Sequence, residues 1–171
     1  QSFGNGTITA LGRNQLQLRK GFIVIGDLNT FPLYGAIGKM DAPFGQMGSV
    51  NPFTNTTMWH AFGGLGFGAQ LGFQKGGLHA KLMAVQGGAQ FRAMHTPVGD
   101  GTNVPSKINN FVADLNYSLS IMDNINLLIG ASYIKGSAYC QDFPVTHFSS
   151  CEENNPAFTY YGTLKFNNRL I

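Results

Sequence analysis

The stretch NFVADLNYSLSI, residues 110–121, decides the fold because its side chains alternate in character from one residue to the next. Apolar residues stand at every odd position from Phe111 to Ile121, and Asn, Asp or Ser stands at positions 110, 114, 116, 118 and 120. A β-strand directs successive side chains to opposite faces, so the pattern predicts one apolar and one polar face. Alternation over about ten residues is typical of a strand with lipid on one side and a polar lumen on the other.

Other segments of the chain show the same extended pattern, separated in turn by short and long connections. Short turns are predicted near residues 28–31, 75–77 and 122–124, and long loops at 41–57, 91–107 and 139–156, after an irregular segment at 1–13. The predicted strands cover residues 14–26, 33–40, 59–74, 78–90, 110–121, 125–133 and 158–167. Outer-membrane β-barrels place their short turns at one end and their long loops at the other, as here.

Composition supports this fold class. Only 11% of the residues are charged, whereas the chain has 23 Gly, 14 Phe and 6 Tyr, too many for a helical bundle. No apolar run approaches the roughly 18 residues of a membrane-spanning helix. We therefore predict an all-β, antiparallel transmembrane barrel of the outer-membrane type; a soluble β-sandwich is the alternative and would normally carry more Lys and Glu. Bacterial barrels close with an even number of strands, so residues 1–171 are interpreted as a fragment, of about 7–8 strands, of a larger barrel.

One segment, residues 21–46, resembles a known family. Its runs FIVIGDLN (22–29), PLYGAIGK (32–39) and PFG (43–45) are similar to the pattern F-I-x-I-G-D-L-N, P-x-Y-x-x-I-G-Q and P-F-G of the Legionella-type outer-membrane siderophore receptors. The resemblance covers about 25 residues, and Lys39 stands where that family more often has Gln. It implies a porin-like barrel of about sixteen strands that takes up an iron chelate independently of TonB and without a plug domain.

The chain has two cysteines, Cys140 and Cys151, in the third long loop. The bacterial periplasm and cell surface are oxidising, which favours a disulfide between them. Two free thiols, or a metal site that also uses His147, are the alternatives. In the chain-entropy model a disulfide closing a loop of this size stabilises the fold by roughly 2 to 3 kcal/mol.

Several charged and polar residues are predicted to line the lumen or to contact the solute. The Lys and Arg residues are scattered rather than clustered, which argues against nucleic-acid binding. Lysines in a lumen would attract anions, although a few charges also serve simply to keep a pore hydrated. The proposed lining residues are Lys39, His60, His79, Lys81, Asp114 and Lys165, and the segment Pro43, Phe44 and Gly45 is a candidate constriction loop.

The function that these features favour is transport of a small solute, a ferric siderophore on the family resemblance, across the bacterial outer membrane. A general or anion-preferring porin is one alternative, and a structural or adhesion barrel with a filled lumen is another. We find no carboxylate pair or Ser/His/Asp set that would indicate an enzyme, and no cofactor or metal site is predicted. The expected surroundings are outer-membrane lipid and lipopolysaccharide.

Overall fold

The computed structural model describes residues 20–46, 62, 65–86, 108–137, 156–166 and 169–170. They form one antiparallel sheet of eight strands, in which each strand pairs with the next along the chain. The strands are β1 (Gly21–Ile25), β2 (Leu33–Asp41), β3 (Leu65–Lys75), β4 (Leu78–Gln86), β5 (Ile108–Met122), β6 (Ile125–Ile134), β7 (Ala157–Phe166) and β8 (Arg169–Leu170). The predicted all-β antiparallel class is therefore confirmed.

Short turns join the strands at one end of the sheet, which we call the turn end. Between β1 and β2, the carbonyl of Asp27 accepts hydrogen bonds from the amides of Thr30 and Phe31 at 3.1 and 2.8 Å. Gly76 and Gly77 connect β3 to β4 with φ values of 59° and 84°, as a two-residue hairpin turn of type I′ requires. Asp123 and Asn124 connect β5 to β6. The long connections all leave from the opposite end, which we call the loop end.

The strand bounds differ from the predicted ones mainly at the loop end. The third predicted strand was too long at its start: β3 begins at Leu65 rather than at Trp59, and Phe62 has a helical backbone. The extensions of the first strand before residue 20 and of the fourth beyond residue 86 lie outside the described residues. A short eighth strand, β8, follows the seventh and pairs with it through Lys165 and Phe166.

The two faces of the sheet differ in burial. On β5, Asn110, Val112 and Asp114 are buried, whereas Phe111 and Leu115, which point the other way, are exposed. We call the face that carries Asp114 the inner face and the face that carries Leu115 the outer face. Within the described part of the chain, no helix is long and apolar enough to cross a membrane.

Candidate functional site

Strand register arranges the inner face into rows that run across the sheet. One row is largely polar and the next, nearer the loop end, is largely apolar, because the register of the consecutive strands from β2 to β7 brings residues of like character side by side. The polar row consists of Tyr34, Gly72, Lys81, Asp114, Ser132 and Thr159, and the apolar row of Ala36, Gln70, Met83, Val112, Ile134 and Ala157.

The chain that leaves β2 folds back over the apolar row. In this segment, residues 42–46, the ring of Phe44 is only 1% exposed and belongs to the same buried cluster as Met83, Val112 and Ile134. The ring of Phe62 packs against it with centroids 5.3 Å apart. Burying a Phe side chain stabilises a fold by roughly 1.5 to 3 kcal/mol, so apolar packing holds the segment on the inner face.

Hydrogen bonds join the end of this segment to distant strands. The amide of Gly45 donates to the Ser132 hydroxyl of β6 at 2.8 Å. The next residue, Gln46, accepts a hydrogen bond at its side-chain oxygen from the hydroxyl of Thr163 on β7. Residues 42–46 therefore reach from β2 across the inner face to β6 and β7. The predicted constriction residues Pro43, Phe44 and Gly45 all lie in this segment.

Asp114 of β5 is the centre of the hydrogen bonds beneath the segment. Its Oδ1 accepts from the Ser132 hydroxyl at 2.5 Å and from the Tyr161 hydroxyl at 2.7 Å, and its Oδ2 accepts from the Asn116 side-chain amide at 3.0 Å. The residue is only 6% exposed. Hydrogen bonds to a carboxylate are stronger than those between neutral groups, so Asp114 fixes the Ser132 hydroxyl that holds Gly45.

Two tyrosine rings lie flat against the inner face, each over a glycine of the neighbouring strand. A Cβ atom at Gly72 would overlap the ring of Tyr34, and one at Gly130 would overlap the ring of Tyr161. Because these glycines lack a side chain, each ring can cover the adjacent strand instead of standing away from the sheet. The rings thus take up little of the space above the inner face.

The structure brings four of the predicted lining residues to one face. His79, Lys81, Asp114 and Lys165 all lie on the inner face, where Lys81 is directly opposite Asp114, His79 is opposite Asn116 and Lys165 is opposite Asn126. None of these pairs is predicted by alternation alone, because alternation gives the face of a residue but not the position of its neighbour.

Lys39 lies on the outer face of the sheet rather than on the inner face. It pairs with Phe67 of β3, and its Nζ lies 5.7 Å from the centre of that ring on the outer face. Lys39 therefore does not share a face with His79, Lys81, Asp114 and Lys165, the other predicted lining residues that the structure describes. Both faces of residues 33–40 consist of small or apolar residues apart from Lys39, so the sequence pattern did not determine which way this strand faces.

His60, Cys140 and Cys151 lie outside the described residues, and so does most of each long loop. Among the residues that are described, no group of three or more His, Cys, Asp or Glu side chains could hold a metal ion. Ser132 and Tyr161 were not predicted as site residues, because their places opposite Asp114 and Gly130 depend on strand register.

The outer face is apolar and exposed over most of the sheet. Leu115 is 52% exposed and Tyr160 is 84% exposed. Near the loop end, the rings of Phe111, Tyr133 and Phe158 form a cluster with centroid distances of 5.5 and 4.7 Å. The other exposed apolar residues on this face include Ile23, Ile25, Ile37, Leu71, Leu82, Tyr117, Leu119, Ile121, Ile129, Leu164 and Phe166. Monomeric soluble proteins rarely expose contiguous apolar patches larger than a few hundred Å².

Comparisons with known proteins give one relative. The chain is 32% identical over 157 residues to a UPF0422 protein of Coxiella burnetii (strain RSA 493 / Nine Mile phase I), an alignment that covers 86% of this chain and 30% of the relative. The chain thus spans less than a third of the length of the curated relative that it matches. No family model matches the sequence, and no solved structure matches it.

Proposed function

We propose that this chain forms part of the wall of an outer-membrane β-barrel that passes a small solute, and that residues 42–46 constrict the path. The observation that carries the proposal is the position of that segment, which lies across the inner face between Phe44 on the apolar row and the hydroxyls of Ser132 and Thr163. A segment held over the inner face narrows the space through which a solute would move.

The dimensions of β5 support a membrane position for the outer face. Its exposed apolar residues run from Phe111 to Ile121, which is ten residue steps or about 33 Å of extended chain. At the tilt of about 40° that is typical of barrels, this length corresponds to a height of about 25 Å, which matches the apolar band of outer-membrane barrels. The cluster of Phe111, Tyr133 and Phe158 at the loop end would then form part of an interfacial aromatic girdle.

The polar inner face fits a water-filled path better than a filled lumen. Lys81 and Lys165 are on this face, and the rings of Tyr34 and Tyr161 lie flat along it. A structural or adhesion barrel needs no such open polar wall. We therefore favour transport over the adhesion alternative.

Conductance tests this function directly. The protein made from its complete gene, purified in detergent and added to a planar lipid bilayer, should produce stepwise increases in conductance. A protein that is folded in the membrane but gives no conductance and no liposome swelling would support the structural or adhesion barrel instead.

For the solute, we propose an iron chelate, on the strength of the FIVIGDLN, PLYGAIGK and PFG runs at residues 22–45. Cells that lack the gene should take up less radioactive ferric siderophore under iron limitation than cells that carry it. The complemented strain serves as the control. Equal uptake in both strains would limit the proposal to a general or anion-preferring porin.

A further inference from the structure

The inner face carries an uneven distribution of charge. Four aspartates lie in the described residues: Asp27 and Asp123 are in the short turns, Asp41 forms an ion pair with Lys20, and Asp114 is on the inner face. Within the strands, that face also carries Lys81 and Lys165. Positive charge therefore exceeds negative charge along the described part of the wall.

Asp114 does not use Lys81 as a partner, although the two residues are directly opposite each other on β4 and β5. The carboxylate oxygens of Asp114 accept from three neutral groups, on Ser132, Tyr161 and Asn116. No ion pair of Lys81 occurs among the residues that the structure describes. The ammonium group of Lys81 therefore remains able to bind an external anion.

The surroundings of Lys81 also suit an anion. On one side its neighbour in the polar row is Gly72, over which the ring of Tyr34 lies flat, and His79 lies two residues away on the same face of β4. His79 is in register with Gln74 and Asn116, whose amide groups are hydrogen-bond donors. An ammonium with imidazole and amide donors beside it binds carboxylate or phosphate oxygens.

We propose that Lys81 and His79 form a subsite for small anions with carboxylate or phosphate oxygens, and that Lys81 makes the path anion-selective. This inference rests on the proposed transport function and specifies the charge of the solute. Lys165 lies on β7, three strands from β4, and contributes to the general potential rather than to this subsite.

The test is the ion selectivity of Lys81→Gln in planar bilayers. In a KCl gradient, the reversal potential of the wild-type protein should show preference for chloride over potassium. A unit charge at about 4 Å in water favours chloride and disfavours potassium by about fivefold each, so the substitution should lower the chloride-to-potassium permeability ratio by about 25-fold. Lys75→Gln is the matched control, because it removes the same charge from an exposed position at the turn end.

Two added anions identify the ligand chemistry. Citrate and inorganic phosphate, each added to the chamber at the same concentration, should reduce the wild-type conductance, and the Lys81→Gln channel should be less sensitive. A stronger effect of citrate would assign the subsite to carboxylates, and a stronger effect of phosphate would assign it to phosphoryl groups.

The outcomes separate this inference from the proposed function. Conductance with the same selectivity and block in wild type and Lys81→Gln would overturn the anion subsite and leave transport in place. An absence of conductance would overturn transport, and broadening of the phosphate ³¹P resonance by detergent-solubilised protein would then test the subsite. If the wild-type protein broadens the resonance and Lys81→Gln does not, the subsite is supported. Equal broadening by the wild-type protein and Lys81→Gln refutes it.

Discussion

Removal of the Ser132 hydroxyl should loosen the end of the segment at residues 42–46, where Gly45 and Gln46 contact the inner face. In Ser132→Ala, the amide of Gly45 loses its acceptor at 2.8 Å, and Asp114 loses a donor at 2.5 Å. A hydrogen bond between neutral groups contributes about 1 kcal/mol, and one to a charged group about 1.5 to 3 kcal/mol. Only the bond to Gly45 differs between the held and the released segment, because Asp114 loses its donor in both states. The loss of about 1 kcal/mol corresponds to about a fivefold shift of the equilibrium towards the released segment.

The assay is single-channel recording of the complete protein in planar bilayers. Phe44 remains buried on the apolar row in this variant, so the end of the segment at Gly45 and Gln46 should move while its start stays in place. We expect a larger mean conductance and more open-channel noise in Ser132→Ala than in wild type. Ser120→Ala is the matched control: its hydroxyl donates to Asn126 at 2.8 Å on the same face, but at the turn end and in an exposed position.

Folding must be checked in the same samples, because misfolding would also change the conductance. Heat-dependent migration in gel electrophoresis reports on the folded barrel for all three proteins. If Ser132→Ala is folded and its conductance and noise equal those of wild type, the segment is not held by Ser132 and the proposed constriction is refuted.

Three further predictions concern other parts of the chain. If the outer face contacts lipid, Leu115→Arg on that face should destabilise the membrane-inserted protein by about 2 to 4 kcal/mol and reduce its assembly. Ser118→Arg, on the inner face of the same strand, should assemble normally. Equal assembly of both variants would contradict a lipid-facing outer face. The Thr30 hydroxyl and the Asn29 amide donate to the Asp27 carboxylate and lower its pKa below the ordinary value of 3.8. The turn should therefore keep its stability at neutral pH and lose it as the pH falls through the lowered pKa. Amide exchange at Thr30 and Phe31 measures this, and Asp27→Asn should remove the pH dependence while keeping an acceptor for the Asn29 amide. Thiol titration of the unfolded, unreduced protein should detect no free Cys140 or Cys151, and two reactive thiols would refute the disulfide.

Strand positions were predictable because they depend on residues close together in the sequence. The alternation at 110–121 determines the two faces of β5, and the turns at Gly76–Gly77 and Asp123–Asn124 follow from the residues that such turns require. All seven predicted strands are present, with most differences at the loop end.

The contacts of the segment at residues 42–46 were not predictable in the same way. Gly45 and Ser132 are 87 residues apart in sequence, and Gln46 and Thr163 are 117 apart. Nothing in the local pattern around Gly45 indicates which strand it will meet, because that depends on the register of all the intervening strands. The same reason explains why the sequence did not indicate the face of Lys39, which depends on its pairing with Phe67.

The division of the inner face into two rows limits where a solute could pass. Phe44 and Phe62 cover the apolar row at the loop-end side, so that part of the wall is packed against protein. The polar row at Lys81 and the next row towards the turn end lie beyond this cover, and there the rings of Tyr34 and Tyr161 lie flat over glycines. In the proposed barrel, a solute would therefore meet the edge of the segment at Gly45 and then the side chain of Lys81. The backbone segment held by Ser132 would select solutes by size first. Lys81, which neighbours Asp114 on the side away from Ser132, would then select them by charge.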